Sequence, residues 1–325
     1  MPDLNKVTIK RKAALAKRTK VKAAIGIDGT SGDGKTYLAL MFAKTFAKEW
    51  NKIYVTDAEN DSAKLAEGTK LSTGEIIGEF YHQSLDRDTG YSPFNYEYCQ
   101  KEALELKCSV IIQDTYSNSW NREMGVLDMK TIVETSNDRR YNDSYRAWGH
   151  PDVSKAKNLI FDLIRSNKMH VISTLRIKSD FQMMEDTDKG RNIVKEIGLK
   201  QIQTEGLTYE FDLLLRMLEP GNKNGKPPKV EVLKSRYDVF EKGQQYLITP
   251  NLLEQLHAYL EDGISIEELN ERSRQELAQS IKERAMNNKN LMLIFKNTHP
   301  EKKVIDLTLE QLRELNSAFI ELEYE

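Results

Sequence analysis

Cysteine is nearly absent. The 325-residue chain holds two, Cys99 and Cys108, and five histidines that are scattered along it. Neither cysteine sits in a C-x-x-C pair, so a disulfide framework and a closed structural zinc site are both excluded. The two thiols are expected to be free and buried. Long apolar runs are also missing. No stretch approaches the ~20 residues that a membrane span needs. The N-terminal "MPDLNKVTIKRKAALAKRTKVK" lacks the apolar centre of a secretory signal, so a cytoplasmic location without a membrane partner is expected. Charge of one sign is missing too, with 48 Lys and Arg against 50 Asp and Glu. A globally basic nucleic-acid binder is therefore excluded, although the charge is unevenly spread. Residues 1–22 carry eight Lys or Arg against one Asp, and residues 251–325 carry fifteen acids against nine bases. The basic end fits either electrostatic contact with nucleic acid or a solvated lead-in.

What is present is a globular composition, 39% apolar and 30% charged. This length suits one large domain and a smaller appendage. Glycine totals 17, and three of these fall within six residues, in "GIDGTSGDGKTYLAL". Gly29-Thr30-Ser31-Gly32-Asp33-Gly34-Lys35-Thr36 fits G-x-x-x-x-G-K-[ST]. Glycines let such a loop curl until its backbone N–H groups face phosphate oxygens, and the helix that follows aims its positive end at the same anion. Lys35 is placed to reach the β- and γ-phosphates and the Thr36 hydroxyl to bind Mg²⁺. The expected ligands are therefore ATP and Mg²⁺.

The flanks have the required pattern. "VKAAIGID" (21–28) reads as a buried strand. Residues 35–49 read as a helix whose Leu38, Met41, Phe42 and Phe46 share one face. "KIYVTDAE" (52–59), "CSVIIQD" (108–114) and "MHVISTL" (169–175) read as further strands. Residues 95–107 and 153–167 read as helices. Alternation of apolar strands with helices predicts a parallel sheet covered on both faces. "LTYEFDLLLRML" and "KVEVLKSR", around "EPGNKNGKPP", predict an added hairpin. From Thr249 the pattern is helical, with Pro250 at a helix start and a capping box in "TLEQ" (308–311). The expected organisation is a lead-in over 1–21, a core over 22–248 and a small helical appendage over 249–325. Asp114, at the end of an apolar strand, is the candidate metal carboxylate. Asp57, Glu59 and Asp61 are candidates to position a water.

In order, "GTSGDGKT", "IYVTDAE", "VIIQD", "HVISTLRIK" and "VEVLKSR" resemble the RecA-like P-loop ATPase core over roughly residues 20–245. More narrowly, Trp148-Gly149, Thr174 to Lys178 and "QTEGLTYEFD" resemble phage-encoded RecA-like nucleotide-binding proteins, some of them implicated in single-strand annealing. The resemblance implies that Glu59 is the catalytic base. It places Thr174 where a γ-phosphate sensor, usually Gln, stands. It makes Lys234 and Arg236 fingers that enter a neighbouring subunit's site, which implies a homo-oligomer, a ring or a filament. A phage origin would place the chain in the host cytoplasm.

Two loops of that family face nucleic acid. Here they correspond to about 117–152, with Arg139, Arg140, Tyr141, Tyr145, Arg146 and Trp148, and to about 176–206, with Arg176, Lys178, Phe181, Lys189, Arg191 and Lys195. Cations neutralise phosphates and aromatic faces stack on bases, which suits single-stranded DNA. The expected function is Mg²⁺-dependent ATP hydrolysis coupled to single-strand binding in recombination, repair or annealing. The rivals are a nucleotide-gated assembly or partner-binding protein without a DNA role and a helicase-like motor. A small-molecule kinase is disfavoured, because "KSR" lies on the wrong hairpin for a lid.

Overall fold

The structure, a computed structural model, describes residues 16–166, 168–186, 191–222 and 224–323. The chain divides into two compact units, one from Val21 to Leu260 and one formed by the residues before and after it. The first unit is an α/β structure built on a mostly parallel, mixed sheet of nine strands, compatible with a Rossmann-like core. Its strands are β1 (Ala24–Gly29), β2 (Ile53–Asp57), β3 (Tyr81–Ser84), β4 (Val110–Asp114), β5 (His170–Asp186), β6 (Arg191–Gln201), β7 (Leu213–Glu219), β8 (Lys229–Ser235) and β9 (Gln245–Leu247). The order is β3-β2-β4-β5-β1-β7-β8-β9, with β6 attached to β5. Pairs from β3 through β7 in that order are parallel, whereas β8 runs antiparallel to β7 and to β9.

The apolar strands predicted from sequence all form. β1, β2 and β4 are buried at every position, as expected for strands covered on both faces. On one face α1 (Lys35–Ala47) lays Leu38, Met41, Phe42 and Phe46 on the sheet. The other face carries α2 (Pro93–Glu105) and α5 (Pro151–Asp162), which join a second cluster around Tyr96, Tyr116, Ile160 and Phe211. Two short helices, α3 (Asn118–Asn121) and α4 (Val126–Glu134), follow β4. Cys99 and Cys108 are free and buried, as expected.

Two features differ from the sequence reading. The stretch expected as a loop over 176–206 is largely an antiparallel ribbon, because β5 runs on to Asp186 and pairs with β6. The core also extends past Thr249. The helix α6 (Pro250–Glu261) starts as predicted, with Thr249 Oγ1 accepting from the Leu252 N–H at 3.3 Å. Its Leu253, Leu256 and Leu260 then join the core cluster of the sheet.

The other unit contains α7 (Ile266–Asn287), α8 (Lys289–Thr298) and α9 (Leu309–Glu323). They close on Ile281, Leu291, Leu312, Leu315 and Phe319. The predicted capping box is formed, with the Thr308 hydroxyl accepting from the Gln311 N–H and the Gln311 amide oxygen accepting from the Thr308 N–H. Residues 1–15, most of the basic lead-in, lie outside the described residues. Among the described residues, no helix is long and apolar enough to cross a membrane.

Candidate functional site

The parallel strands bring their carboxyl ends to one edge. Gly29 ends β1, Asp57 ends β2 and Asp114 ends β4, while Thr174 lies at the same level in β5. In an open α/β sheet this edge is where ligands bind.

The loop from Thr30 to Gly34 joins β1 to α1. Gly32 and Gly34 have φ of +84° and +83°, a conformation that favours glycine. Asp33 closes the turn internally, its Oδ2 accepting from the Thr30 N–H at 2.5 Å and from the Thr30 hydroxyl at 2.8 Å. Gly29 has a packing reason, since a Cβ there would lie 3.0 Å from Asp33 Oδ2 and 3.1 Å from Met217 Cβ. No side chain caps the N-terminus of α1, whose first N–H groups have no partner within the helix. Lys35 is buried, and its ammonium donates to the Thr30 carbonyl at 2.6 Å. The Ser31 side chain is exposed at the tip of the loop.

Behind the loop lies Asp114, 1% exposed. Thr36 Oγ1 donates to its Oδ2 and Thr174 Oγ1 to its Oδ1, each at 2.5 Å. Burial pushes the carboxyl up to about 6, although both hydroxyls pull it the other way. Thus three residues singled out separately in sequence form one contiguous unit. Among the described residues, no group of three or more His, Cys, Asp or Glu side chains forms a metal cage. A Mg²⁺ ion needs no such cage when substrate phosphates supply its other ligands.

Glu59 sits on a turn built by Asp57. Asp57 Oδ1 accepts from the Glu59 N–H and Oδ2 from the Ala63 N–H, each at 2.7 Å. His82 Nε2 of β3 lies 3.2 Å from the same Oδ2. Asp57 is therefore a structural carboxylate, and Asp61 is engaged by Lys64 at 3.1 Å and lies 3.8 Å from His82, which leaves Glu59 as the third candidate. Glu59 is not free: Arg176 Nε and Nη2 both donate to its Oε1, at 3.1 and 2.9 Å. Arg176, expected as a nucleic-acid contact, reaches the candidate base instead.

The remaining nucleic-acid candidates are mixed. Arg140 is paired with Asp138 at 2.7 Å and Arg146 with Asp143 at 3.1 Å. Tyr141 packs edge-on against His150 and lies under the Arg140 guanidinium. Trp148 stacks on Trp120 at 6.0 Å between centroids, packed against the core rather than presented. Arg139 and Lys178 are exposed, and Tyr145 is 88% exposed. Lys189 and the side chains of Phe181, Arg191 and Lys195 lie outside the described residues.

Lys234 and Arg236 lie at the opposite edge of the sheet. Lys234 pairs in register with Leu214 near the start of β7, and the Arg236 N–H donates to the Asp212 carbonyl. Lys234 Nζ donates to the Tyr209 carbonyl at 2.6 Å, and Arg236 pairs with Asp212 at 3.1 Å. Burial draws the Lys234 ammonium down, and the Arg236 charge adds to this. Arg236 lines an open polar cleft of about 600 Å³ together with Lys22, Arg165, Glu210 and Asp212.

Sequence reasoning missed one charged cluster beside the loop. Asp28, fully buried in β1, is held by Arg216 of β7, with Nε to Oδ1 and Nη2 to Oδ2 both at 2.9 Å, and by the Gln201 amide. The available signal was an acid inside an apolar strand, which requires a partner. It also missed Thr115 to Asn118, buried polar residues directly after Asp114.

No protein-family model matches the chain, and no curated protein matches its sequence. Fold and site define an α/β chain with a glycine-rich loop, a buried carboxylate and an arginine-held glutamate at one sheet edge.

Proposed function

We propose that the chain is a RecA-like P-loop ATPase that hydrolyses ATP with Mg²⁺ at the interface between subunits and couples this to single-stranded DNA. The observation that carries the reading is the unit of Thr36, Asp114 and Thr174 directly behind the loop. In it a buried carboxylate, raised by desolvation, faces the threonine that follows Lys35. A buried carboxylate of this kind gains from a nearby divalent cation. Thr36 and Asp114 fit Mg²⁺, a hard cation that takes oxygen ligands and keeps substrate phosphates and waters as the rest of its shell. Held by Thr36 and Asp114, that ion would supply positive charge against the charge developing on the phosphates.

The chain's own groups supply the remainder. Backbone N–H groups of the loop and of the start of α1 hold the phosphates, with Gly29, Gly32 and Gly34 permitting the curl and Lys35 moving from the Thr30 carbonyl to a phosphate oxygen. Glu59 orients and deprotonates the attacking water. Thr174, already on Asp114, senses changes at that carboxylate. Lys234 and Arg236 lie too far from their own loop to serve it, so they act on a neighbour's phosphates.

The Glu59–Arg176 pair supplies the coupling. While Arg176 holds Oε1, Glu59 cannot take a water proton there. Arg176 stands at the base of the β5–β6 ribbon, two residues before exposed Lys178. A polyanion that draws Arg176 away releases Glu59.

The test is Mg²⁺-dependent ATP hydrolysis with and without oligo-dT, for the parent, Lys35→Ala, Glu59→Gln and Arg236→Ala. DNA-stimulated turnover is expected for the parent and loss of turnover for each variant. Mixing Lys35→Ala with Arg236→Ala should restore part of it, because hybrid interfaces contain one intact loop and one intact finger. Turnover indifferent to DNA refutes the coupling. Nucleotide binding without turnover, unchanged by Glu59→Gln, leaves the nucleotide-gated binding protein in its place.

A further inference from the structure

The short segment that leads into β7 holds both basic residues at the end of β8, and it leaves each of them able to bind. The Tyr209 carbonyl accepts from both, from Lys234 Nζ at 2.6 Å and from Arg236 Nη2 at 3.5 Å. The Thr208 carbonyl accepts a second bond from Lys234 Nζ at 3.2 Å. A guanidinium carries five N–H donors and an ammonium three. Beyond its bonds to Tyr209 and Asp212, Arg236 therefore keeps three donors, and Lys234 keeps one. The Arg236 side chain is 60% exposed and opens on the polar cleft of about 600 Å³, within the roughly 300–1,000 Å³ of a small-molecule site.

Among the described residues, Asp212 is the one side chain that accepts a hydrogen bond from either cation, and its two oxygens have separate partners. Oδ2 accepts from the buried Tyr237 hydroxyl at 3.2 Å and from the Ala24 N–H at 3.3 Å. Oδ1 accepts from Arg236 Nη1 at 3.1 Å. The Asp212 backbone is tied as well. Its N–H donates to the Ala24 carbonyl and its carbonyl accepts from the Arg236 N–H, both at 2.8 Å. One oxygen thus fixes the carboxylate to β1 and to Tyr237, and the other sets where the guanidinium lies.

We propose that Asp212 is the positioning residue of the Arg236 finger and aims its guanidinium at the phosphates of the neighbouring subunit's nucleotide. The inference rests on the finger reading of Arg236. A long side chain loses rotamer freedom when it binds, and a misplacement of about 1 Å near a reacting group can lower the rate about 100-fold. A fixed carboxylate removes both losses before the subunits meet. Asp212 touches no phosphate itself. Because three donors of Arg236 remain, the pair stays closed while the guanidinium engages phosphate, so Asp212 aims the finger rather than storing it.

The test measures Mg²⁺-dependent ATP hydrolysis by mixed subunits of the full chain. Lys35→Ala supplies only a finger and Arg236→Ala only a loop, so their mixture forms one kind of working interface. Asp212→Asn is then added to one side or the other. The Asn oxygen can keep the two donors at Oδ2, which turns its NH₂ group towards the guanidinium, donor against donor. On the Lys35→Ala subunit, Asp212→Asn should lower the kcat of the mixture about 10-fold and leave KM for ATP unchanged, because a finger acts on charge that develops in the transition state. On the Arg236→Ala subunit it should change neither, which also shows that the Asp212→Asn chain folds. A loss of similar size on both sides, or on the loop side alone, overturns the inference and makes Asp212 a structural residue. No loss on either side overturns it too, and a rise in kcat on the finger side makes Asp212 a latch instead. In each of these cases the finger reading stands, provided the two single variants restore turnover when mixed. If they restore none while the parent hydrolyses ATP, the finger reading and the inference fall together.

Discussion

Arg176→Gln removes the guanidinium that holds Glu59 and keeps a polar side chain of similar reach. Both donors go to one carboxylate oxygen, at 3.1 and 2.9 Å, and the side chains are 33% and 26% exposed. A pair this accessible is worth about 1 kcal/mol, the upper end for solvent-reached ion pairs. That corresponds to a factor of about 5, so Glu59 is released for roughly one part in six of the time before any partner binds. The variant should therefore raise DNA-independent turnover about 6-fold, and the stimulation by oligo-dT should shrink by the same factor. Steady-state ATP hydrolysis at one fixed salt concentration measures both, since polyanion binding is strongly salt-dependent. Glu59→Gln in the same background should abolish the gain. A fall in basal turnover refutes the reasoning, because Arg176 would then stabilise charge in the transition state rather than restrain the base. Increased turnover with undiminished DNA stimulation refutes the coupling.

Three further outcomes test the groups around the site. Asp114 is raised from 3.8 to about 6 in the folded chain, so the stability tied to its proton is present below 3.8 and lost as pH rises through 6, about 3 kcal/mol in all. Urea unfolding in EDTA should show Asp114→Asn equal to the parent near pH 4 and more stable by up to about 3 kcal/mol at pH 8, and a destabilised variant at pH 8 would refute the burial argument. His170 is pushed down to about 3 by burial, with Lys22 and His257 adding to it, and its Nδ1 accepts from the Ala23 N–H at 3.0 Å. Its share of stability is present above 6.5 and falls with pH, about 2 kcal/mol being lost by pH 5; His170→Asn, which keeps an acceptor, should flatten that acid limb. Arg216→Met leaves Asp28 buried without its cation and should cost about 3–5 kcal/mol in the same unfolding assay at pH 7, with a loss under 1 kcal/mol counting against the pairing.

The parts of the site that were legible in sequence are those where chemistry and backbone geometry select the same residue type. Gly32 and Gly34 adopt positive φ, and Asp114 ends an apolar strand. The antiparallel β7–β8 hairpin was legible because its strands are apolar and its turn is rich in Gly, Pro and Asn. β3, with sequence YHQS, was not legible: it is an edge strand without an apolar run. The ribbon of β5 and β6 was hidden because basic residues in a motif order read as a loop, whereas pairing is decided by the partner strand. Helix α6 resembled the helices after it, and only its contacts show that Leu253, Leu256 and Leu260 face the sheet. The arginines of residues 138–146 carried their own correction. Asp138 stands two residues before Arg140 and Asp143 three before Arg146, spacings at which the side chains meet.

The buried residues after Asp114 decide how any signal can travel. The Asn118 amide donates to the Ala58 carbonyl at 2.8 Å, and the Ala58 N–H donates to the Asp114 carbonyl. Ser117 Oγ accepts from the Arg176 N–H at 2.9 Å, and Thr115 Oγ1 donates to the Thr174 carbonyl at 2.9 Å. The backbones that present Glu59, Asp114, Thr174 and Arg176 are thus tied into one frame through Thr115 to Asn118. Breaking any of these ties would strand a buried polar group, at about 1–3 kcal/mol. The Glu59–Arg176 side-chain pair, about a third exposed, costs about 1 kcal/mol to open, at the bottom of that range. A pull on Arg176 is therefore taken up first by the guanidinium leaving Glu59, with Asp114 and the loop staying where they are. A polyanion at the base of the ribbon would then change the state of the base without disturbing the carboxylate behind Thr36.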